Sequence, residues 1–305
     1  MADLAELLRG AVAGERLPLA RLLTAIENDA PGLRDLLPSV FRAGRGAHLV
    51  GITGPPGSGK STLVSALAAE WRRRGRRVGV IAVDPSSPHT GGAIMGDRIR
   101  MMEHGADPDV FVRSMASRGE LGGLAASTWV AAAALDAAGY DPIVVETVGA
   151  GQSEVEIAGL AETTVVVEMP EAGDEVQAIK AGLLEVADLV IVNKGDRPNA
   201  ERAARQLRAM LSTAGGRIER QPPRVLITTA TAADGVAAAA DAIDAHRSAA
   251  REPTHAANRA RQQVRRALGE LAARRAASSP EWASTVEQVA SRELDPLTAA
   301  ERLLR

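Results

Sequence analysis

The chain has 305 residues, 46% of them hydrophobic but only 2% aromatic, with a net charge of −2 and no cysteine. Its length admits one large α/β domain with additions or two domains, and the absence of cysteine excludes disulfides and thiolate metal sites. A charge so near zero offers no global field to nucleic acid or an anionic membrane, and no apolar run reaches the roughly 18 residues of a membrane span.

Met1–Glu6 begins with acids and lacks the pattern of a signal peptide, so a soluble, cytoplasmic chain that binds neither nucleic acid nor membrane is expected. Residues 1–45 read as helices with polar turns: Leu19, Leu22, Leu23 and Ile26 recur at helical spacing, and Pro31 and Pro38 punctuate the next stretch. Nothing in this helical extension carries chemistry, and it reads as an appended cap.

From residue 46 to 250, short Val- and Ile-rich runs alternate with helical patterns. The runs are His48–Thr53, Val78–Val83, Val110–Met115, Ile143–Val145, Thr164–Val167, Leu189–Val192 and Val225–Thr228. Between them lie the helical patterns Leu63–Arg74, Leu124–Ala138, Asp174–Val186, Ala200–Leu211 and Val236–His246. Runs without polar alternation suit strands buried on both faces, and the strand–helix rhythm predicts a doubly wound, mainly parallel α/β sheet. Residues 251–305 change character. Asn258–Arg275 is an Arg-rich helix with Val264, Leu268 and Leu271 on one stripe, broken at Ser278-Ser-Pro280 and followed by helices over Glu281–Arg292 and Leu297–Leu304. This is a helical arm, and its stripe suits either packing onto its own domain, the commoner use, or dimerisation.

The first run leads into Gly54-Pro55-Pro56-Gly57-Ser58-Gly59-Lys60-Ser61-Thr62, and a helical segment comes next. Strand, G-x-x-x-x-G-K-S loop and helix stand in the order that a P-loop requires. The glycines let backbone N–H groups turn inward around a polyphosphate, and the helix N-terminus adds positive potential. Lys60 is placed to reach the β- and γ-phosphates and Ser61 to ligate Mg²⁺.

Ligands of such sheets sit at the carboxyl ends of the strands. There Val78–Val83 ends in Asp84, Ile143–Val145 ends in Glu146, and Asp97 stands on a loop. Mg²⁺ takes one or two carboxylates with hydroxyl, phosphate and water oxygens, so Ser61, Asp84, Asp97 and Glu146 are the candidate metal shell. Gln152, just beyond, suits either water positioning or a loop hydrogen bond, the latter being favoured.

Leu189–Val192 runs into Asn193-Lys194-Gly195-Asp196, an N-K-x-D guanine signature. Asp196 can accept from N1–H and the exocyclic amino group of guanine, while adenine would leave a buried carboxylate unpaired; such sites discriminate on the order of 10⁴-fold. The Lys194 stem lies along the base, Asn193 braces the loop, and Thr229-Ala230-Thr231 offers a backbone N–H to guanine O6. The expected cofactors are GTP/GDP and Mg²⁺. Lys60, Lys180 and Lys194 are the only lysines among 36 basic residues. Two of the three stand in nucleotide motifs, which makes Lys180 a candidate as well; a plain surface lysine is the alternative.

Taken together, Gly54–Thr62, Val83–Ser87, Thr90-Gly-Gly with Gly96–Met101, Glu146–Ser153, Ala172–Gln177 and Asn193–Asp196 resemble the MeaB/ArgK/MMAA family of P-loop GTPases. The likeness covers nearly the whole chain and places it in the metallochaperone-like branch of G proteins. It implies a homodimeric GTPase chaperone of an adenosylcobalamin-dependent acyl-CoA mutase, gating cofactor loading and protecting the mutase. It implies phosphate binding by Gly54–Thr62, a metal region at Ser61, Asp84, Asp97 and Glu146, and guanine binding by Asn193, Asp196 and Thr229–Thr231. It also implies a switch over residues 170–182, including Asp174 and Lys180. Two departures are Glu171, where the family more often has glycine, and Gly195, where it often has alanine. A nickel-inserting GTPase and an ATP-driven transport component or kinase are the alternatives. The first normally carries Cys or His clusters, whereas the five histidines here are scattered; the guanine signature opposes the second.

Overall fold

The computed structural model describes residues 3–84, 107–116, 126–147, 153–170, 183–214 and 222–305. Asp97, Gln152, Glu171, Asp174 and Lys180 therefore lie outside the described residues. Contacts divide the chain into two compact units, Met1–Glu252 and Pro253–Arg305.

In the first unit, β1 (Leu49–Thr53), β2 (Val78–Asp84), β3 (Val110–Ala116), β4 (Ile143–Thr147), β5 (Thr163–Glu168), β6 (Leu189–Val192) and β7 (Arg224–Ile227) form one sheet. Its order is β3-β2-β4-β1-β5-β6-β7, and every pairing is parallel. All seven expected runs are strands of this sheet, with ends shifted by at most two residues. Strands β4, β5 and β6 are buried throughout, whereas edge strand β7 is partly open, which is why the inner runs show no polar alternation.

Helix α4 (Lys60–Arg73) and a later helix, Val236–Ala250, cover one face. Leu63, Leu67, Trp71, Ala239 and Ile243 pack there on Val50, Ile52, Val144, Val165 and Ile191. The other face is covered at one end by α5 (Ala126–Ala137) and α6 (Ser153–Leu160), and at the other by α7 (Ala200–Ala214). The helix Val236–Ala250 is α8.

The N-terminal helices α1 (Leu4–Val12), α2 (Arg16–Glu27) and α3 (Leu33–Arg42) do not form a separate layer. Leu19, Leu22, Leu23, Ile26 and Val40 join one core with Ile81, Phe111, Leu135 and Val145. The tether into β1 is fixed as well: the Asp136 carboxylate on α5 accepts the backbone N–H groups of Arg45, Gly46 and Ala47 at 2.8–3.2 Å. Pro38 lies inside α3 rather than ending a helix. A proline removes one i→i−4 bond, and burial of Leu33, Leu36 and Val40 on the same helix outweighs that loss.

The second unit holds α9 (Pro253–Ala277), α10 (Trp282–Ala290) and α11 (Pro296–Leu304). Asp295 caps α11 by accepting from Leu297 and Thr298 N–H, both at 3.0 Å. Among the described residues, no helix is long and apolar enough to cross a membrane.

Candidate functional site

The site is built at the carboxyl end of β1, in the middle of the sheet, where β4 and β5 flank it. Gly54 opens the loop at φ +144°, and a Cβ there would stand 2.1 Å from the Val167 carbonyl oxygen of β5. Only glycine lets the loop leave the strand so close to its neighbour. Gly59 closes the loop in the left-handed region at φ +87° and leads directly into Lys60, the first residue of α4.

Lys60 is buried, and its Nζ donates to the carbonyls of Gly54 at 2.7 Å and Pro55 at 3.1 Å. The ammonium is thus held across the mouth of its own loop. Ser61 is next, and its hydroxyl donates to Oε1 of the buried Glu146 at 2.7 Å. This joins α4 to the end of β4. Glu146 lies within β4 rather than beyond it, because that strand runs on to Thr147. The Ser58 hydroxyl, in the loop itself, is buried and has no hydrogen-bond partner among the described residues. Buried polar atoms are nearly always completed by protein, ordered water, an ion or a ligand.

The donor set suits Mg²⁺. Ser61 Oγ and Glu146 Oε1 are hard oxygens 2.7 Å apart, close enough to share one coordination shell, and Mg²⁺ needs few protein ligands beside phosphate and water. Among the described residues no group of three or more His, Cys, Asp or Glu could hold a metal by itself, so the described residues offer no all-protein metal cage. Asp84 is the last residue of β2, in register with Ala116 and separated from β1 by β4.

The guanine loop leaves β6 two strands away. Asn193 is buried at its root and links three segments. Its Nδ2 donates to the carbonyls of Ser58 at 3.0 Å and Gly59 at 3.4 Å, inside the P-loop. Its Oδ1 accepts from Thr228 Oγ1 at 3.1 Å and from Ala230 N–H at 3.2 Å, on the loop after β7. A Cβ on Gly59 would meet Asn193 Nδ2 at 2.4 Å, so that glycine is required by the amide as much as by the turn. Gly195 N–H donates to the Thr228 carbonyl at 2.9 Å, and Ala230–Ala232 form a short 3₁₀ turn beyond Thr229.

Lys194 adopts φ +60°, a left-handed conformation that costs a non-glycine residue roughly 1–3 kcal/mol and concentrates at functional loops. Asp196 is exposed at the loop tip. No described protein segment covers it, and a base seated on the loop is what would shield the carboxylate. Pro55, Pro56, Gly57 and Thr62 fall within the loop and first turn, and Thr231 is exposed beside the guanine loop. Of the candidate catalytic and metal residues the structure brings together Lys60, Ser61 and Glu146.

Two features at this end of the sheet escape sequence reasoning. Glu168 is a buried carboxylate ending β5, its carbonyl accepting Asn193 N–H at 2.8 Å. Thr53 and Thr147, ending β1 and β4, are hydrogen-bonded at 3.0 Å. Thr147 sits in the motif Glu146-Thr-Val-Gly149, but nothing in its spacing shows which strand it faces.

Comparison with known proteins agrees with this geometry. A family model described as methylmalonyl Co-A mutase-associated GTPase MeaB matches residues 19–283. A Pyrococcus horikoshii protein named as a GTPase is 43% identical over 312 residues, covering all of this chain and 98% of the relative. GTPase ArgK of Escherichia coli is 38% identical over 242 residues, covering 77% of this chain and 73% of the relative. Among solved structures, one described as an LAO/AO transport system kinase superposes with a TM-score of 0.71 at 28% identity, over 99% of this chain and 98% of that one.

Proposed function

This chain belongs to the MeaB family of methylmalonyl Co-A mutase-associated GTPases, hydrolyses GTP to GDP and phosphate, and, we propose, does so as a homodimeric, cytoplasmic chaperone of an adenosylcobalamin-dependent acyl-CoA mutase. The observation that carries the nucleotide half of this reading is Asn193, which ties the guanine loop, the P-loop and the loop after β7 into one cradle. The family's own name supports the mutase half.

In this reading Gly54–Thr62 hold the phosphates through backbone N–H groups and the α4 N-terminus, and Lys60 exchanges its loop carbonyls for β- and γ-phosphate oxygens. Ser61 and Glu146 hold Mg²⁺, with Asp84 and Asp97 completing the acidic shell. When bound, Mg²⁺ neutralises charge that develops on the transferred phosphoryl group. Asn193, Lys194, Asp196 and Thr229–Thr231 select guanine. Residues 170–182, with Asp174 and Lys180, form the switch that a partner reads, and Glu171 adjusts its response.

The division of labour is an N-terminal extension over 1–45, a GTPase domain over 46–250 and an arm over 251–305. The arm supports dimerisation through an apolar stripe on α9, where Val264, Leu268 and Leu271 are 59%, 61% and 49% exposed. An apolar groove of about 510 Å³, lined by Ala276, Trp282, Val286, Ala299 and Leu303, adds to it.

The test is the GTPase rate of the full chain with and without a methylmalonyl-CoA-type mutase, alongside calorimetry with GDP and ADP. Complex formation and a stimulated rate, with GDP bound far more tightly than ADP, are expected. A rate indifferent to the mutase with no complex would end the chaperone reading, and equal GDP and ADP affinities would end the guanine assignment.

A further inference from the structure

Thr53 and Thr147 end neighbouring parallel strands, each one residue beyond a paired position, Ile52 against Glu146. The Thr147 hydroxyl donates to Thr53 Oγ1 at 3.0 Å, and both residues are buried, at 1% and 0% exposure. Hydroxyls are an odd choice here. Valine and isoleucine fill the adjoining strand positions Val50, Ile52, Val144 and Val145, and valine has the shape of threonine without the cost of desolvating a hydroxyl. A buried pair that satisfies itself still needs a reason for both members to be polar.

Their chain neighbours supply one. Thr53 precedes Gly54, the first residue of the phosphate loop, and Thr147 comes directly after Glu146, which receives the Ser61 hydroxyl at 2.7 Å. Side chains alternate along a strand, so Glu146 points to the α4 face while Thr147 points to the other. The end of β4 is thereby held from both faces, to α4 through Glu146 and to β1 through Thr147.

We propose that Thr53 and Thr147 form a positioning latch: their hydroxyl pair fixes the end of β4 against the root of the P-loop, so that Glu146 and Ser61 stay within one coordination shell. The latch rests on the reading of Ser61 and Glu146 as the Mg²⁺ pair. It acts on the metal dependence of nucleotide binding and leaves metal-free nucleotide binding, which depends on loop N–H groups and the guanine cradle, nearly unchanged.

The experiment is a GDP titration of the full chain by calorimetry, with MgCl₂ and with EDTA, for wild type, Thr147→Val, Thr147→Ser, Thr53→Val and the double valine variant. Thermal melting of each variant without nucleotide runs in parallel. Wild type should bind GDP more tightly with Mg²⁺. Thr147→Val should lose about three- to tenfold of that gain, the range of one net hydrogen bond, while its EDTA affinity stays within about twofold. Thr147→Ser should restore the gain, and the double variant should lose no more than the worse single one, since both act through one contact.

A wild type indifferent to Mg²⁺ would remove the metal reading and the latch with it. A responsive wild type whose Thr147→Val variant keeps the whole gain would overturn the latch alone. Equal losses with EDTA and with Mg²⁺, tracking a lowered melting temperature, would also overturn it, because the pair would then serve only the fold.

Discussion

Asn193 shows how a single side chain converts a motif into a site. Its amide makes contacts on two separate loops while buried. Asn193→Ala would leave the Thr228 hydroxyl and the Ala230 N–H without that acceptor, each loss costing roughly 1–3 kcal/mol when buried. GDP affinity is expected to fall at least about tenfold and the melting temperature to drop, read by calorimetry and thermal denaturation. Asp196→Asn makes the opposite test. Because Asp196 is exposed, the fold should keep its stability while base preference moves from guanine toward xanthine; strict GTP use by this variant would place the base elsewhere. The loops that carry Lys60 and Asp196 were readable from spacing alone. The sequence also foretold Asn193 as a brace, but its grip on the P-loop depends on distant strands meeting in one sheet, which no local pattern encodes.

Between elements, the amino end of the sheet carries a second polar cluster remote from the nucleotide site. His48 Nε2 lies 2.8 Å from Thr163 Oγ1, which lies 2.9 Å from His246 Nδ1 on α8; His246 Nε2 approaches Asp188 at 3.4 Å. His48 N–H donates to Asp141, which also pairs with Arg76 and Arg247. Burial, helped by Arg247, lowers the His48 pKa from 6.5 to about 3. Burial pushes Asp141 upward, but the His48 N–H and Arg247 outweigh it and hold the carboxyl below its usual range. The sign comes from linkage. Above about pH 6.5 His48 is neutral in folded and unfolded chains alike; as the pH falls from 6.5 toward about 3, the unfolded chain takes a proton that the folded one refuses, and stability is lost.

The slope reaches at most about 1.4 kcal/mol per pH unit for one group. Between pH 6.5 and about 5, above the range in which Asp141 titrates, His48→Gln should flatten the pH dependence of the urea midpoint; an unchanged slope would show that His48 is not its source. The helices and strands around this cluster were readable from periodicity. The proline inside α3 and the merging of α1–α3 with the sheet core were not, because burial against α5 overrides local propensity.

At the scale of the molecule, the arm and the GTPase unit are distinct compact bodies, and the arm keeps large apolar side chains in water. A monomer rarely exposes such a stripe without a partner for it. On the proposed homodimer, Leu268→Glu, at a residue 61% exposed, should shift the chain from dimer to monomer in sedimentation while GDP affinity stays near wild type; an unchanged sedimentation coefficient would place any dimer contact elsewhere. By itself the sequence determined the parallel α/β class, the P-loop, the guanine signature and the family, since each is written in residues close together along the chain and in a strand–helix rhythm set by backbone geometry. The tertiary structure decided what lies between those motifs: that Glu146 meets Ser61, that Asn193 reaches Ser58, that Thr147 faces Thr53, and that the N-terminal helices share the sheet's core. Those contacts join residues from 85 to 135 positions apart for the first three pairs, and such pairs are fixed by strand order and register, which only the packed sheet supplies.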